Sequence, residues 1–462
     1  MQRDASLLFR TLIAAAIGVV ATFQNSENPP AIVPQSGSFT AGQSEPVDCT
    51  NFLPYSDDPN HIWNRVHRRL LERRGADGKT WGCDEVDPLL WQESQHILAG
   101  PAYTETVALL DEFTKTHSEQ LIHDPLRRAA FQRDLWAVFD WLARRTDEHG
   151  KERTELEKRL AAIIKAVALK RAEVEHLPDN YLQLRGSTTS DGLALPGLAG
   201  GWLTIARDDA GPVAQVHSSS FSRSLFLVYL KLPLGGPEAS TYLESMRAYS
   251  RQRPRGDDCQ LHPCSPPQVP AGTELALVRR AILIDTSGRP VVSPVTESVQ
   301  LRRYREIPPS LTIDFYDKMQ QVAEFQLSRR ALLKGELGLR RVGENETQFP
   351  VFSTHGDDLF ESGDVNGSPA LGCHGCHQGV GVVSFTSYSR VQFERDRLFI
   401  PIHAGTEAQE SVKAITYLER RDSWKLLERL MKSLRFAARP PSAERWKSGS
   451  LEPRKRFGNC GL

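Results

Sequence analysis

The stretch LGCHGCHQGVG, residues 371–381, sets Cys373, His374, Cys376 and His377 close together in a chain of 462 residues that has seven cysteines and thirteen histidines. Two cysteines three positions apart can present both sulfurs to the two vinyl groups along one edge of a haem. A histidine directly after them can swing beneath the ring to ligate iron. Two other chemistries use a Cys-x-x-Cys pair. A redox dithiol wants its first cysteine at the start of a helix that follows a buried strand, and NGSPALGCHGC has no convincing strand in front of the motif. Structural zinc wants four ligands, and no second Cys-x-x-Cys completes the set. The haem chemistry fits this spacing best.

The motif resembles the attachment signature of the c-type cytochromes. That resemblance implies one covalent haem c, with Cys373 and Cys376 as thioether attachment points and His377 as the proximal iron ligand. GDDLF (Gly356 to Phe360) is similar to the glycine-to-phenylalanine lead-in of that family, and Gly379 and Gly381 suit the loop after the motif. The likeness covers roughly the C-terminal quarter of the chain. Electron carriers fill the sixth iron position with Met or His, whereas haem enzymes leave it open. Three residues are candidates for it: Met431, His403 in IPIHAG and His355 in STHGD. Met431 shares a helical stripe with Leu427, Leu430 and Leu434, where a methionine more often fills a core. His374 reads as an exposed spacer between the cysteines.

The elements that must position this site predict an α+β chain of several domains. Residues 1–22 read as a signal peptide: Arg3 and Arg10 precede the uncharged run TLIAAAIGVVATF, which is too short to span a bilayer. Residues 23–48, rich in Pro, Ser and Gly, read as a flexible linker. An N-terminal helical domain is predicted over 49–176, with DPLRRAAFQRDLWAVFDWLARR as its clearest helix. There Asp124 and Pro125 make an N-terminal cap, and Ala130, Leu135, Val138, Phe139 and Leu142 form one stripe. Trp63, Trp91, Trp136 and Trp141 are core anchors for the same region.

A central antiparallel β-rich domain is predicted over 177–310. GWLTIAR and RSLFLVYLKLPL read as strands, and two longer strands flank a turn at Asp285 to Arg289. DFYDKMQQVAEFQLSRRALLK suggests a helical connector within 311–344. Residues 345–462 form the expected C-terminal haem-binding region, mostly helix and loop, ending in one broken helix or two. In an oxidising compartment Cys49, Cys83, Cys259 and Cys264 can form two disulfides. The favoured pairs are Cys49 with Cys83 and Cys259 with Cys264, leaving Cys460 over.

Lysines and arginines (57) balance aspartates and glutamates (57), which argues against nucleic acid or an anionic membrane surface as the main partner. No nucleophile elbow, His-Glu-x-x-His, phosphate loop or dinucleotide fingerprint occurs. His61 and His67, six positions apart, do not share a helix face. The reading these features favour is an exported, periplasmic or cell-surface mono-haem protein. It transfers single electrons to a redox partner protein, and its mature chain has no membrane span. Two alternatives stand beside it. One is a haem enzyme, peroxidase-like or an oxidoreductase with a fused cytochrome domain. The other is a non-haem exported interaction protein whose Cys-x-x-Cys is structural.

Overall fold

Helix-start chemistry is written plainly in the upstream part of the chain. The computed structural model describes residues 49, 52–74, 80–85, 96–145, 149–197, 200–252, 266–307, 319–336, 338–343, 349–352, 363–366, 377, 379–389 and 401–437. Helix α1 (Ile62–Leu71) starts at His61, whose Nδ1 accepts from the Trp63 N–H at 3.3 Å. A two-stranded pair, β1 (Arg73–Arg74) with β2 (Thr80–Trp81), follows it. Helix α2 is Gly100–Lys115. Helix α3 (Pro125–Arg144) starts where Asp124 Oδ1 accepts from the Arg127 N–H at 2.7 Å, with Pro125 in the position where a missing N–H does no harm. The stretch after it breaks into α4 (Gly150–Ala166) and α5 (Arg171–Glu175).

The predicted stripe of α3 is buried, and so are Gln132, Arg133, Asp134 and Asp140 on its other sides. This helix therefore runs through the interior rather than along its surface. Trp63 and Trp136 are fully buried, with Trp63 stacked on Phe131 at 4.2 Å between ring centres. Trp141 packs against the same cluster, and Trp91 lies outside the described residues. Cys49 and Cys83 form a disulfide across this region, their Cα atoms 5.6 Å apart. Cys259, Cys264 and Cys460 lie outside the described residues.

Seven strands then build one antiparallel sheet. In chain order its upstream members are β3 (Leu203–Arg207), β4 (Ser224–Lys231), β5 (Glu274–Ile284), β6 (Pro290–Tyr304), β7 (Gln320–Leu327) and β8 (Leu339–Arg341). β11 (Ile402–Ala404) joins at the far edge, giving the order β11-β3-β4-β5-β6-β7-β8. A separate two-stranded pair is β9 (Phe349–Phe352) with β10 (Gly363–Asn366). The β5–β6 hairpin turns where expected. Asp285 Oδ1 accepts from the N–H groups of Ser287 and Arg289, and Gly288 takes φ 82°.

Helices cover both faces of the sheet, which is why β4 is a continuous apolar run rather than an alternation. Leu225, Leu227 and Tyr229 point into one core with Val174, Tyr181, Leu184 and Leu195. Phe226, Val228 and Leu230 point into a second core with Ala239, Leu243 and Met246. Each fully buried Leu, Val or Phe contributes about 1.5–3 kcal/mol, so both faces anchor what lies on them. The second face carries α6 (Gln215–Ser220) and α7 (Gly236–Gln252), neither foreseen in the β-rich segment.

The helical connector is also corrected. Residues 320–327 are strand β7, paired to β6 from Ser298↔Gln326 to Tyr304↔Gln320. Among the described residues of that stretch the α-helix is α8 (Arg329–Leu333). Met, Gln, Ala and Glu favour a helix locally, but Ala323, Phe325 and Leu327 alternate into the first core, and tertiary pairing overrides the weak local preference. Downstream, α9 (Val382–Ser387) lies on the second face. Helices α10 (Glu407–Arg420) and α11 (Asp422–Ala437) are two, separated at Arg421. Their Leu418, Trp424, Leu427 and Met431 join the α1–α4 core. Among the described residues no helix is long and apolar enough to cross a membrane.

Candidate functional site

Immediately after the motif the backbone makes a turn that only glycine accommodates well. Gly381 has φ 66°, and a Cβ there would run into the side chain of Gln268. That side chain is committed: its Oε1 accepts from the Val382 N–H at 2.6 Å. A Cβ on Gly379 would lie 2.6 Å from Val383 Cγ1. The turn launches α9, whose Val382 and Phe385, with Tyr388 just beyond, are buried in the second core. Apolar packing on the sheet thus fixes α9, and α9 in turn fixes what faces His377.

His377 is buried, at 2% exposure. Its Nδ1 lies 2.5 Å from Ser387 Oγ, and that hydroxyl donates to the Ser384 carbonyl at 2.6 Å. Because the single hydroxyl hydrogen goes to the carbonyl, Ser387 Oγ accepts from the imidazole. Nδ1 therefore carries the proton and Nε2 the lone pair, the tautomer in which a histidine ligates metal through Nε2. The backbone is held from the sheet: Gln320 Nε2 donates to the His377 carbonyl at 3.3 Å, and Arg302 Nη1 donates to Gln320 Oε1 at 3.2 Å. The Tyr388 ring closes one side, 4.2 Å from the His377 ring centre.

A second imidazole completes the neighbourhood. His217 of α6 has its ring centre 5.8 Å from that of His377, with the planes 23° apart. It also lies 5.5 Å from the Phe226 ring of β4. Burial, and then the cationic neighbours Arg302 and Arg279, lower its pKa to about 4, so it is neutral near pH 7. Nothing in the sequence singled out His217, Ser387 or Tyr388. His217 is far upstream, and only the sheet topology brings it beside the motif.

Two of the three sequence candidates for the sixth ligand, Met431 and His403, fall elsewhere. Met431 is buried in the α1–α4 core with Trp424 and Leu427, as its helical stripe suggested, and the second core holds Tyr388 instead. His403 sits on the edge strand β11, where its Nδ1 lies within hydrogen-bond distance of Asp208 Oδ1 at 2.8 Å, its side chain about one third exposed. His355, Cys373, His374 and Cys376 lie outside the described residues. Of the upstream histidines, His61 caps α1 and His67 is buried against Asp134.

Beside His377 the described residues set an apolar wall from α9, the Tyr388 ring and a second imidazole, His217. Among the described residues no three His, Cys, Asp or Glu side chains group to hold a bare metal ion. No family of known proteins, no curated protein and no solved structure matches this chain.

Proposed function

We propose that this is an exported mono-haem protein of c-type cytochrome character that carries single electrons to and from a partner protein. The observation that supports it best is the state of His377: buried directly after Cys376, with its Nδ1 proton accepted by Ser387, the tautomer that ligates metal through Nε2. Cys373 and Cys376 would hold the group. Each S–H adds across one vinyl group, so that a C–S bond forms, the vinyl double bond becomes single and the thiol hydrogen moves to the neighbouring carbon. No oxidant or reductant is consumed, and both cysteines must start as thiols. When bound, haem supplies a one-electron ferrous–ferric couple. The chain's own part is to hold the imidazole in one tautomer, to exclude water with Val382, Phe385 and Tyr388, and to set the charge near the iron through Arg302 and Arg279.

The test is direct. The full chain, made in a host with cytochrome c maturation machinery, should stain for haem on a denaturing gel, and the Cys373→Ala variant should bind haem more weakly or not at all. The N-terminus of the exported protein should begin near residue 23. Colourless material, with an intact mass showing no porphyrin, would overturn the proposal.

A further inference from the structure

Helix α1 carries Arg65, Arg68 and Arg69 at the three- and four-residue spacing that puts side chains on one side of a helix. With Arg73 of β1 they line a cavity of about 410 Å³, which Glu72, His96 and Ala102 of α2 help to close. Pockets that hold small molecules run from about 300 to 1,000 Å³, so the space suits an organic molecule. Helix-surface arginines with carboxylate neighbours are ordinary, and three of these have one. Arg65 is forked onto Glu112 at 2.7 and 3.0 Å, Arg69 meets Glu105, and Arg68 lies 3.8 Å from Glu72. Two features set this group apart. First, Arg73 and His96 line the cavity although both are buried, at 4% and 2% exposure. The His96 Nε2–H donates to the Leu70 carbonyl at 2.8 Å, which leaves Nδ1 to accept from Arg73 Nη1 at 2.5 Å. Burial, and then the Arg73 cation, hold the His96 pKa well below the ordinary histidine value. The imidazole is therefore neutral, and it holds a guanidinium without cancelling its charge. Second, α2 starts at the cavity with no acidic residue in its first turn and no side-chain cap, so the positive end of its dipole adds to the arginines. Among the described residues of the lining the one carboxylate is Glu72.

We infer that this cavity binds a small organic anion carrying two or more negative charges, its oxygens taken by Arg68 and Arg73 with Arg65 and Arg69 beside them. Guanidinium forks match carboxylate, sulfate and phosphate oxygens two at a time. The Glu105 and Glu112 side chains are exposed, and exposed pairs are weak, so a multiply charged ligand can compete for the arginines they hold. Glu72 sets the pH response. Burial raises its carboxyl to about 7, while Arg68 and Arg329 of α8 pull it the other way. The other ionisable groups of the lining are the Arg65, Arg69 and Arg73 cations and the neutral His96. Below about pH 7 the Glu72 carboxyl is neutral and leaves Arg68 to the ligand. Above it the carboxylate competes for Arg68 and repels the anion. None of these residues belongs to the Cys-x-x-Cys-His motif, so the inference does not rest on the haem reading.

The experiment is calorimetric titration of the full chain at low ionic strength with two probes. Citrate stands for spread carboxylates. Sulfate stands for a compact sulfate or phosphate group, and it keeps both charges from pH 6 to pH 8. The wild type should bind one or both with one-to-one stoichiometry, and the tighter probe identifies the kind of anion. Arg68→Ala, at a half-exposed position, should weaken binding about tenfold, the worth of one charge-assisted contact. Arg73→Lys keeps the charge but loses the fork, and it should weaken binding as well. Arg171→Ala removes an exposed arginine of α5 outside the lining and should leave binding unchanged. Sulfate should bind more weakly at pH 8 than at pH 6, and Glu72→Gln should remove that difference. No one-to-one binding of either probe at millimolar concentration would overturn the inference. So would a loss in Arg171→Ala equal to that in Arg68→Ala, the mark of a general charge effect, or wild-type sulfate binding no weaker at pH 8. The wild-type titrations decide the matter even if the Arg73 variant does not fold.

Discussion

Two histidines, His67 in the helical core and His217 against the sheet, share one feature and differ in all the others. Each has a buried ring nitrogen with no partner among the described residues: Nε2 of His67 and Nδ1 of His217. His67 sits in a charge-saturated knot. Its Nδ1 meets Asp134 Oδ2 at 3.0 Å, Tyr55 donates to the same oxygen at 2.6 Å, and Arg329 grips the carboxylate with both terminal nitrogens at 2.7 and 2.8 Å. Burial pushes the Asp134 carboxyl up, but Arg329 and His67 outweigh it and hold it below its ordinary value. Among the described residues no carboxylate hydrogen-bonds to His217; the His377 and Phe226 rings lie beside it. An orphaned nitrogen alone therefore marks no site. The neighbour decides: a carboxylate makes a structural clamp of His67, whereas His217 packs against aromatic rings.

The largest effect that sharpens this contrast is in the knot. Asp134→Ala strips the partner from the buried Arg329 cation, and it should lower the free energy of unfolding by about 3–5 kcal/mol, read from denaturant titration. Variant protein that does fold should retain its haem spectrum, because the knot touches neither imidazole of the candidate site. A loss below about 1 kcal/mol would show that the knot is no clamp.

Next in size is the turn that launches α9. Gly381→Ala places a side chain at φ 66°, and it collides with Gln268. The cost should be about 1–3 kcal/mol. Because α9 carries Ser387, the spectrum of the proposed haem should broaden or shift as well. Stability and spectrum both unchanged would mean that α9 is not what orients His377.

Ser387→Ala tests the imidazole itself. Removing the acceptor leaves the Nδ1–H of His377 without that bond and should cost about 1–3 kcal/mol. It also weakens the electron donation that an accepted Nδ1 proton lends to Nε2. Ferric iron loses more by this than ferrous iron, so the midpoint potential should rise while haem content stays the same. A potential that falls or does not move would place the ligand tautomer in doubt.

The sequence carried much of the scaffold and little of the site, for a physical reason visible in particular residues. α3, β4 and the Asp285 turn follow from local signals: a cap, an apolar run, a side chain that satisfies its own loop. β7 was unreadable because MQQVAEF has helix-favouring composition, and only its pairing with β6 makes it a strand. Met431 behaved as its stripe said, a core residue. His217 left no trace, because QVHSSS has no spacing that refers to residue 377. Sheet order alone joins them, and sheet order is a property of long-range packing. His403 pointed the same lesson the other way: apolar neighbours in sequence suggested an inward ring, yet its position on an edge strand gave it to Asp208.

The smallest effect belongs to a charge pair of the same chemistry as the knot but placed in solvent. Asp191 accepts from both terminal nitrogens of Arg341, at 3.0 and 2.7 Å, with its side chain about one third exposed. Burial raises its carboxyl, and the hydrogen bonds from Arg341, Thr189 and Gln321 more than reverse this, holding it at about 2. Since the folded value lies below the unfolded value of about 3.9, the carboxylate stabilises the fold at pH values above about 4. That contribution is lost as pH falls through about 2. Solvent screens the pair, so Asp191→Asn should cost less than about 1 kcal/mol at pH 7, and that cost should shrink as pH falls through about 2. A larger loss at neutral pH would mean that this surface fork works as the buried one does. Burial would then no longer be what separates the two.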